Sequence, residues 1–292
     1  MTRSFLFVPA DAERKLAKAA ASTADALIID FEDSVVPERR PAARRLVREI
    51  LPDIAGREIW VRINPIAGDD AGSDLEAVMP AAPHGIVLPK SGGAADLLKL
   101  SRRLDELEAA HGSPPGSTRV LPIVTERPES LFRLHEYAGA SPRLAGLTWG
   151  AEDLGTAVGA AATRDAGGRW LPPYEFARSL CLFAAAAAGV PAVDTVYTDY
   201  RNPDGLREYA ANARRDGFEG MLAIHPAQTD IINRAFLPTR EEVLRASRIV
   251  ALFADHPEAG TLGMDGEMID RPHWLQATRI LEKAKRYGNE GR

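Results

Sequence analysis

Short apolar runs alternate with amphipathic stretches along nearly the whole chain, and that alternation predicts the architecture. Eight runs read as strands: RSFLFVP (3–9), DALIIDF (25–31), EIWVRIN (58–64), HGIVLPK (84–90), RVLPIVTE (119–126), LAGLTWGAED (144–153), AVDTVYTDY (192–200) and GMLAIHP (220–226). Between them, apolar residues recur at helical spacing in DAERKLAKAAAS (11–22), ERRPAARRLVREIL (38–51), AADLLKLSRRLDELEAAHG (94–112), RPESLFRLHEYAG (127–139), YEFARSLCLFAAAAAG (174–189) and PDGLREYAANARRDG (203–217). Several of these end in Gly, a helix stop signal. Strands that are apolar on both faces, each followed by a helix, imply a parallel sheet covered by helices.

Eight such units closing on themselves make an α/β fold of the (β/α)8 TIM barrel type, about 250 residues long. An open doubly wound sheet is the rival. The barrel is preferred because polar residues stand at the carboxyl end of nearly every strand rather than at one crevice. They are Asp30, Glu32 and Asp33; Arg62 and Asn64; Lys90 and Ser91; Thr125 and Glu126; Glu152 and Asp153; Asp199; and His225. In a barrel those ends converge on one mouth, where the active sites of this fold sit. The barrel is expected over 1–236. Residues 237–292 then form a C-terminal helical extension: a helix at 240–256, a Gly-rich turn at 257–270 and a last helix at 271–288.

Composition adds limits. With 45% hydrophobic and 26% charged residues the chain is an ordinary globular protein, and a net charge of −5 gives no nucleic-acid footprint. One cysteine, Cys181, excludes a disulfide framework within the chain and suits a reducing compartment; it reads as a small buried hydrophobe. The N-terminal apolar run is a first strand rather than a signal peptide, and no segment reaches the roughly 18 apolar residues that span a bilayer. A cytoplasmic protein without a membrane partner is expected. His84, His111, His135 and His256 show no metal spacing, and Trp60, Trp149, Trp170 and Trp274 are too scattered for a base-stacking platform.

The candidate chemistry gathers at the mouth. Glu126 and Asp153 each end a strand, so two backbone segments can aim carboxylates at one hard cation such as Mg²⁺, which takes one or two carboxylates plus water and substrate. The competing reading is that each acid caps the helix it precedes. Arg62 is placed for a substrate carboxylate or for an internal ion pair with Asp30 or Glu32. Lys90 is either a Schiff-base lysine or a balancing charge. Asp30, Glu32 and Asp33 are expected to be neutralised by Arg62, Lys90 and Arg3, with Glu32 the best of the three for direct contact.

The stretches RSFLFVPA, LIIDFEDSV, VRINP, VLPKS, WGAEDLG, IHPAQ and DGEMIDRPH, in that order along nearly the whole chain, resemble the citrate lyase beta subunit family. Its relatives include malyl-CoA, methylmalyl-CoA and citramalyl-CoA lyases within the wider HpcH/HpaI aldolase group. The resemblance implies a Mg²⁺-dependent carbon–carbon lyase acting on an acyl-CoA or acyl-carrier-protein thioester, with a 2-oxo acid as co-product, in a homotrimer or homohexamer. Residue by residue, it implies that Arg62 takes the substrate carboxylate and Asp153 of the GAED motif, with Gly150 and Ala151 beside it, belongs to the metal and substrate site. Phe7, Arg14, Lys18, Ile224, His225 and Pro226 fall where coenzyme A binds, and Asp270 matches the tail acid that serves a neighbouring subunit. One departure stands out. The family reads Pro-apolar-apolar-Glu-Thr at the fifth strand, whereas Pro122-Ile123-Val124-Thr125-Glu126 puts Thr125 at the metal position in an ungapped alignment. Glu126 is expected to reach the metal all the same. Rival readings are a hydrolase of a malyl-type thioester, a class II aldolase acting on free hydroxy acids, and a non-enzymatic scaffold.

Overall fold

Runs such as Ala26-Leu27-Ile28-Ile29, with no exposed face, can only be interior strands of a covered sheet, and they pair in parallel throughout. The computed structural model describes residues 2–54 and 56–288. The chain divides into two compact units, Met1–Ala235 and Phe236–Arg292.

In the first unit the order is β1 (Ser4–Pro9), α1 (Glu13–Ala20), β2 (Ala26–Asp30), α2 (Arg40–Ile50), β3 (Glu58–Arg62), α3 (Asp70–Val78), β4 (Gly85–Leu88), α4 (Ala94–His111), β5 (Arg119–Pro122), a 3-10 segment (Pro128–Tyr137), β6 (Leu147–Thr148), α5 (Glu152–Ala157), α6 (Pro172–Ala188), β7 (Ala192–Asp194), α7 (Pro203–Asp216), β8 (Gly220–Ala223) and α8 (Pro226–Ala235). The sheet runs β5-β4-β3-β2-β1-β8-β7-β6, all parallel. Parallel bridges Val120↔Leu144 and Ile123↔Thr148 join its two edges, so the eight strands make a nearly closed barrel. The expected architecture is present.

The barrel interior is filled by Phe5, Ile28, Trp60, Val87, Leu121, Ile123, Val193 and Leu222. Phe5 meets Trp60 edge-on at 5.8 Å, and the Trp60 ring lies so close over Gly85 that a Cβ there would stand 2.2 Å from it. Only glycine fits that position in β4. On the helical side, α4 stops at Gly112, whose φ of +69° suits the left-handed cap that glycine adopts without penalty.

One turn before that cap, Glu108 ties α4 to the start of β5. Its carboxylate accepts hydrogen bonds from both Arg143 terminal nitrogens (2.7 and 2.6 Å) and from the backbone N–H groups of Thr118 (2.8 Å) and Gly116 (2.7 Å). Burial would raise its pKa, but the Arg143 pair and the two N–H groups outweigh it and hold the carboxyl at about 2. The stability this supplies is present above the ordinary carboxylate range and lost as pH falls through about 2. Glu108→Ala leaves the buried Arg143 without its main partner and is expected to cost about 3 kcal/mol in urea denaturation at pH 7.

In the second unit, α9 (Arg240–Asp255) and α10 (Arg271–Tyr287) pack together through Ala246, Ile249, Phe253 and Ala277. The Gly-rich turn expected between them is an antiparallel hairpin, β9 (Thr261–Met264) and β10 (Glu267–Asp270). Asp265 and Gly266 turn it with φ of +55° and +84°, the two-residue arrangement that an Asp-Gly pair favours. Two further expectations need correction. The 127–139 stretch winds as a 3-10 segment rather than an α-helix, and α3, absent from the sequence pattern, packs against α2. Among the described residues no helix is long and apolar enough to cross a membrane.

Candidate active site

β2 and β3 pair with Asp30 beside Arg62, and this register builds the first part of the mouth. Arg62 donates from Nε to Asp30 Oδ1 and from Nη2 to Oδ2, both at 2.7 Å. Its Nη1 lies 3.2 Å from Glu32 Oε2 and 3.3 Å from Asp33 Oδ2, and the Phe7 ring sits 4.7 Å from the guanidinium carbon. Burial opposes the charge of Asp30, yet the Arg62 hydrogen bonds and charge hold its pKa below the ordinary range. For Glu32, burial prevails and the pKa is raised. The bidentate face of Arg62 is thus occupied by Asp30, and only the Nη1 edge is turned to the other acids.

Lys90 follows β4 with φ of +50°, a left-handed conformation uncommon for a side-chain-bearing residue. Its ammonium donates to Glu32 Oε1 at 2.6 Å and lies 3.4 Å from Asp33 and 3.5 Å from Asp153. These contacts make it the balancing charge and leave no free amine for a Schiff base. Arg3 does not take part: it pairs with Asp25 at 2.8 Å, next to the amino-terminal ends of β1 and β2.

Past β5, the Thr125 hydroxyl donates to the Gly150 carbonyl (3.0 Å) and accepts from the Gly150 N–H (3.1 Å), so it is consumed in holding β5 to β6. Glu126 is the residue that faces the mouth. Its Oε2 accepts the Lys90 N–H at 2.5 Å, and a Cβ on Gly150 would stand 2.9 Å from its Cγ, so glycine is what lets Glu126 lie there. Burial, reinforced by the charges of Glu32 and Asp153 and opposed by the Lys90 N–H, pushes its pKa up to about 8.

Glu126 and Asp153 line one cavity of about 420 Å³ together with Arg62, Phe7, Gly150, Ala151 and Ile224, and a second, adjoining one of about 430 Å³ with Lys90 and Arg127. Glu32 is buried behind Arg62 and Lys90. Arg14 and Lys18 are exposed on α1. His225 stacks on Tyr200 at 4.9 Å, and Pro226 opens α8. Asp270 belongs to the second unit, where it precedes α10 with its Oδ1 2.5 Å from His273 Nδ1.

Two mouth residues escaped the sequence reading. Trp149 lines the same cavity as Arg62 and Phe7 and donates from Nε1 to Asp194 Oδ1 at 2.7 Å; Asp194, fully buried, also takes Arg178 at 2.8 Å. β7 ends at Asp194, and Asp199, expected there, is exposed beyond it. The signal was in the chain: Asp194 follows Ala192-Val193 as Asp30 follows Ile28-Ile29.

The donor set suits a magnesium ion. Among the described residues no group of three or more His, Cys, Asp and Glu side chains forms a ligand cage. Mg²⁺ needs only one or two carboxylates beside water and substrate, and Glu126 and Asp153 face one space as such a pair. Carboxylates also outnumber cations here, and Glu32 Oε2 has no hydrogen-bond donor.

Fold and site together define a (β/α)8 barrel with a carboxylate-rich mouth. The model of the HpcH/HpaI aldolase/citrate lyase family matches residues 3–226, and the chain belongs to that family. It is 35% identical to citrate lyase subunit beta of Haemophilus influenzae, over 98% of this chain and 97% of that one. It is 33% identical to a (3S)-malyl-CoA thioesterase of Cereibacter sphaeroides, over 97% of this chain and 94% of the relative. Among solved structures it is similar to CitE of Mycobacterium tuberculosis in complex with magnesium, acetoacetate and coenzyme A. That match has a TM-score of 0.79 and 33% identity, covering 97% of this chain and 98% of the other.

Proposed function

We propose that this protein is a Mg²⁺-dependent carbon–carbon lyase that splits a β-hydroxyacyl thioester of the malyl-, citramalyl- or citryl-CoA type into an acyl thioester and a 2-oxo acid, or joins the two. The observation that carries the reading is that Glu126, four residues past β5, and Asp153, in the first turn of α5 rather than at the end of a strand, line one cavity with Arg62. The magnesium, acetoacetate and coenzyme A bound by the CitE relative suit the same assignment.

Glu126 and Asp153 hold the ion, which when bound supplies Lewis-acid stabilisation of negative charge on substrate oxygen. Arg62, locked by Asp30, offers its Nη1 edge to the substrate carboxylate and fixes its orientation. Gly150 and Ala151 form the adjoining wall. Phe7 and Ile224 give an apolar approach for the thioester arm, and Arg14 and Lys18, exposed on α1, together with the His225-Pro226 turn, receive the rest of the carrier. The hydroxyl proton passes to solvent water, the C–C bond breaks with release of the 2-oxo acid, and its electron pair stays on the other fragment as a thioester enolate. Asp270, carried by the tail of a neighbouring copy in a homotrimer or homohexamer, gives that carbon its proton, and takes it in condensation.

Likeness to a malyl-CoA thioesterase favours a second reading, hydrolysis of the same class of thioester. Incubation with malyl-, citramalyl- and citryl-CoA separates the two. Acyl-CoA and a 2-oxo acid in equal amounts, abolished by EDTA, is the expected result. Free CoA without a 2-oxo acid makes the protein a hydrolase, and cleavage of free hydroxy acids alone makes it a class II aldolase.

A further inference from the structure

Lys90 touches both acids of the dyad from one residue: its backbone N–H donates to Glu126 Oε2 at 2.5 Å and its ammonium lies 3.5 Å from Asp153 Oδ1. The same ammonium is 2.6 Å from Glu32 and 3.4 Å from Asp33. Among the described residues it is, apart from Arg62, whose bidentate face is committed to Asp30, the cation in contact with this group of carboxylates. It is held there on a backbone with φ of +50°, a conformation glycine adopts freely and lysine does not. A side chain that served only to join two loops would not need to stand among the ligands themselves.

We propose that Lys90 is a resident cation that competes with the metal for the Glu126–Asp153 dyad, and so sets how tightly the ion is held. The inference rests on the reading of that dyad as the metal site. Its physical basis is charge. Like charges in a partly desolvated site repel more strongly than in water, and a fixed positive charge beside Asp153 weakens the binding of a second cation to the same oxygens. Without the metal, the ammonium keeps Glu32, Asp33 and Asp153 from repelling one another. With the metal, its contact with Asp153 becomes unfavourable and the ammonium is free to turn to an anionic group of the substrate.

A structural and a competitive role predict opposite signs. If Lys90 merely organises the loops, neutralising it loosens the ligands and weakens metal binding. If it competes, neutralisation tightens binding while making the metal-free protein less stable. The experiment is Mn²⁺ binding to the full-length protein, followed by EPR at constant pH and ionic strength, with Mg²⁺ as competitor. Lys90→Gln, which keeps a donor for Glu32, is expected to bind at least about tenfold more tightly than wild type. Its metal-free melting temperature falls, and the rise on adding Mg²⁺ is larger than in wild type. Lys90→Gly suits the positive φ and provides a second neutral variant that the backbone tolerates. Lys90→Arg keeps the charge and is expected to bind as wild type does. Equal or weaker binding by the neutral variants, with wild type binding normally, overturns the inference and leaves the dyad assignment intact. No binding by wild type overturns the dyad assignment, and this inference with it.

Discussion

Glu126→Gln is expected to lower the affinity for Mg²⁺ by about 10²-fold or more and, in the metal-free protein, to raise thermal stability above neutral pH. The two effects have opposite signs for one reason. Glu126 is buried beside Glu32 and Asp153, so its carboxylate is costly until a cation arrives. A folded-state pKa raised from the ordinary 4.5 to about 8 means that the folded protein keeps a proton the unfolded chain has released. The associated stability is complete below about pH 4.5 and is lost as the pH rises through about 8. Wild type without metal therefore loses stability across that window, at about 1.4 kcal/mol per unit. Gln carries no such proton, so the variant keeps its stability and the difference grows toward about 4 kcal/mol at the top of the window. Thermal melts of wild type and variant from pH 5 to 8.5, with and without Mg²⁺, read both effects. A variant that is destabilised at pH 8 and binds Mg²⁺ normally would show Glu126 to be a structural acid, and the lyase reading would lose its foundation.

Glu126 also shows what a linear pattern can and cannot say about a site. The eight strands were legible because both faces of each are buried, which leaves continuous apolar runs such as Leu27-Ile28-Ile29. Their ends were less legible. β6 was expected over 144–153 and β7 over 192–200, but the ladders hold only Leu147–Thr148 and Ala192–Asp194. Beyond those points the backbone leaves the sheet to present Gly150, Asp153 and Thr195 to the cavity. A one-residue ambiguity at β5 was thus beyond sequence alignment to settle. In the structure the Thr125 hydroxyl bonds to Gly150, and the next side chain, Glu126, is the one that lines the cavities. Arg62 and its acids were readable as a cluster, whereas the division of labour among them was not. That Asp30 would take the bidentate face, and that Arg3 would go to Asp25, follows from strand register and chain direction. The link from Trp149 to Asp194 spans 45 residues and carries no local periodicity, and it emerges only when β6 and β7 are laid side by side.

Asp270→Asn is expected to lower kcat by about 10²–10⁴-fold with little change in KM or in Mg²⁺ affinity. The substitution is a clean one. Asp270 precedes α10 and contacts His273, so part of its value is local, and Asn caps a helix about as well as Asp. The second unit should therefore keep its fold while losing the one property Asn lacks, the ability to carry and release a proton. If the cap were the whole role of Asp270, kcat would stay at the wild-type level. A second measurement tests where the acid acts. Arg62→Ala removes from the barrel the guanidinium proposed to orient the substrate and leaves the tail intact; Asp270→Asn does the reverse. If the tail of one copy completes the mouth of another, chains of the two variants that are inactive alone form mixed oligomers in which an intact barrel meets an intact tail. Activity then reappears on co-expression, in proportion to the fraction of mixed species. If each chain completes its own site, every site in the mixture lacks either Arg62 or Asp270, and the mixture stays as inactive as its parts.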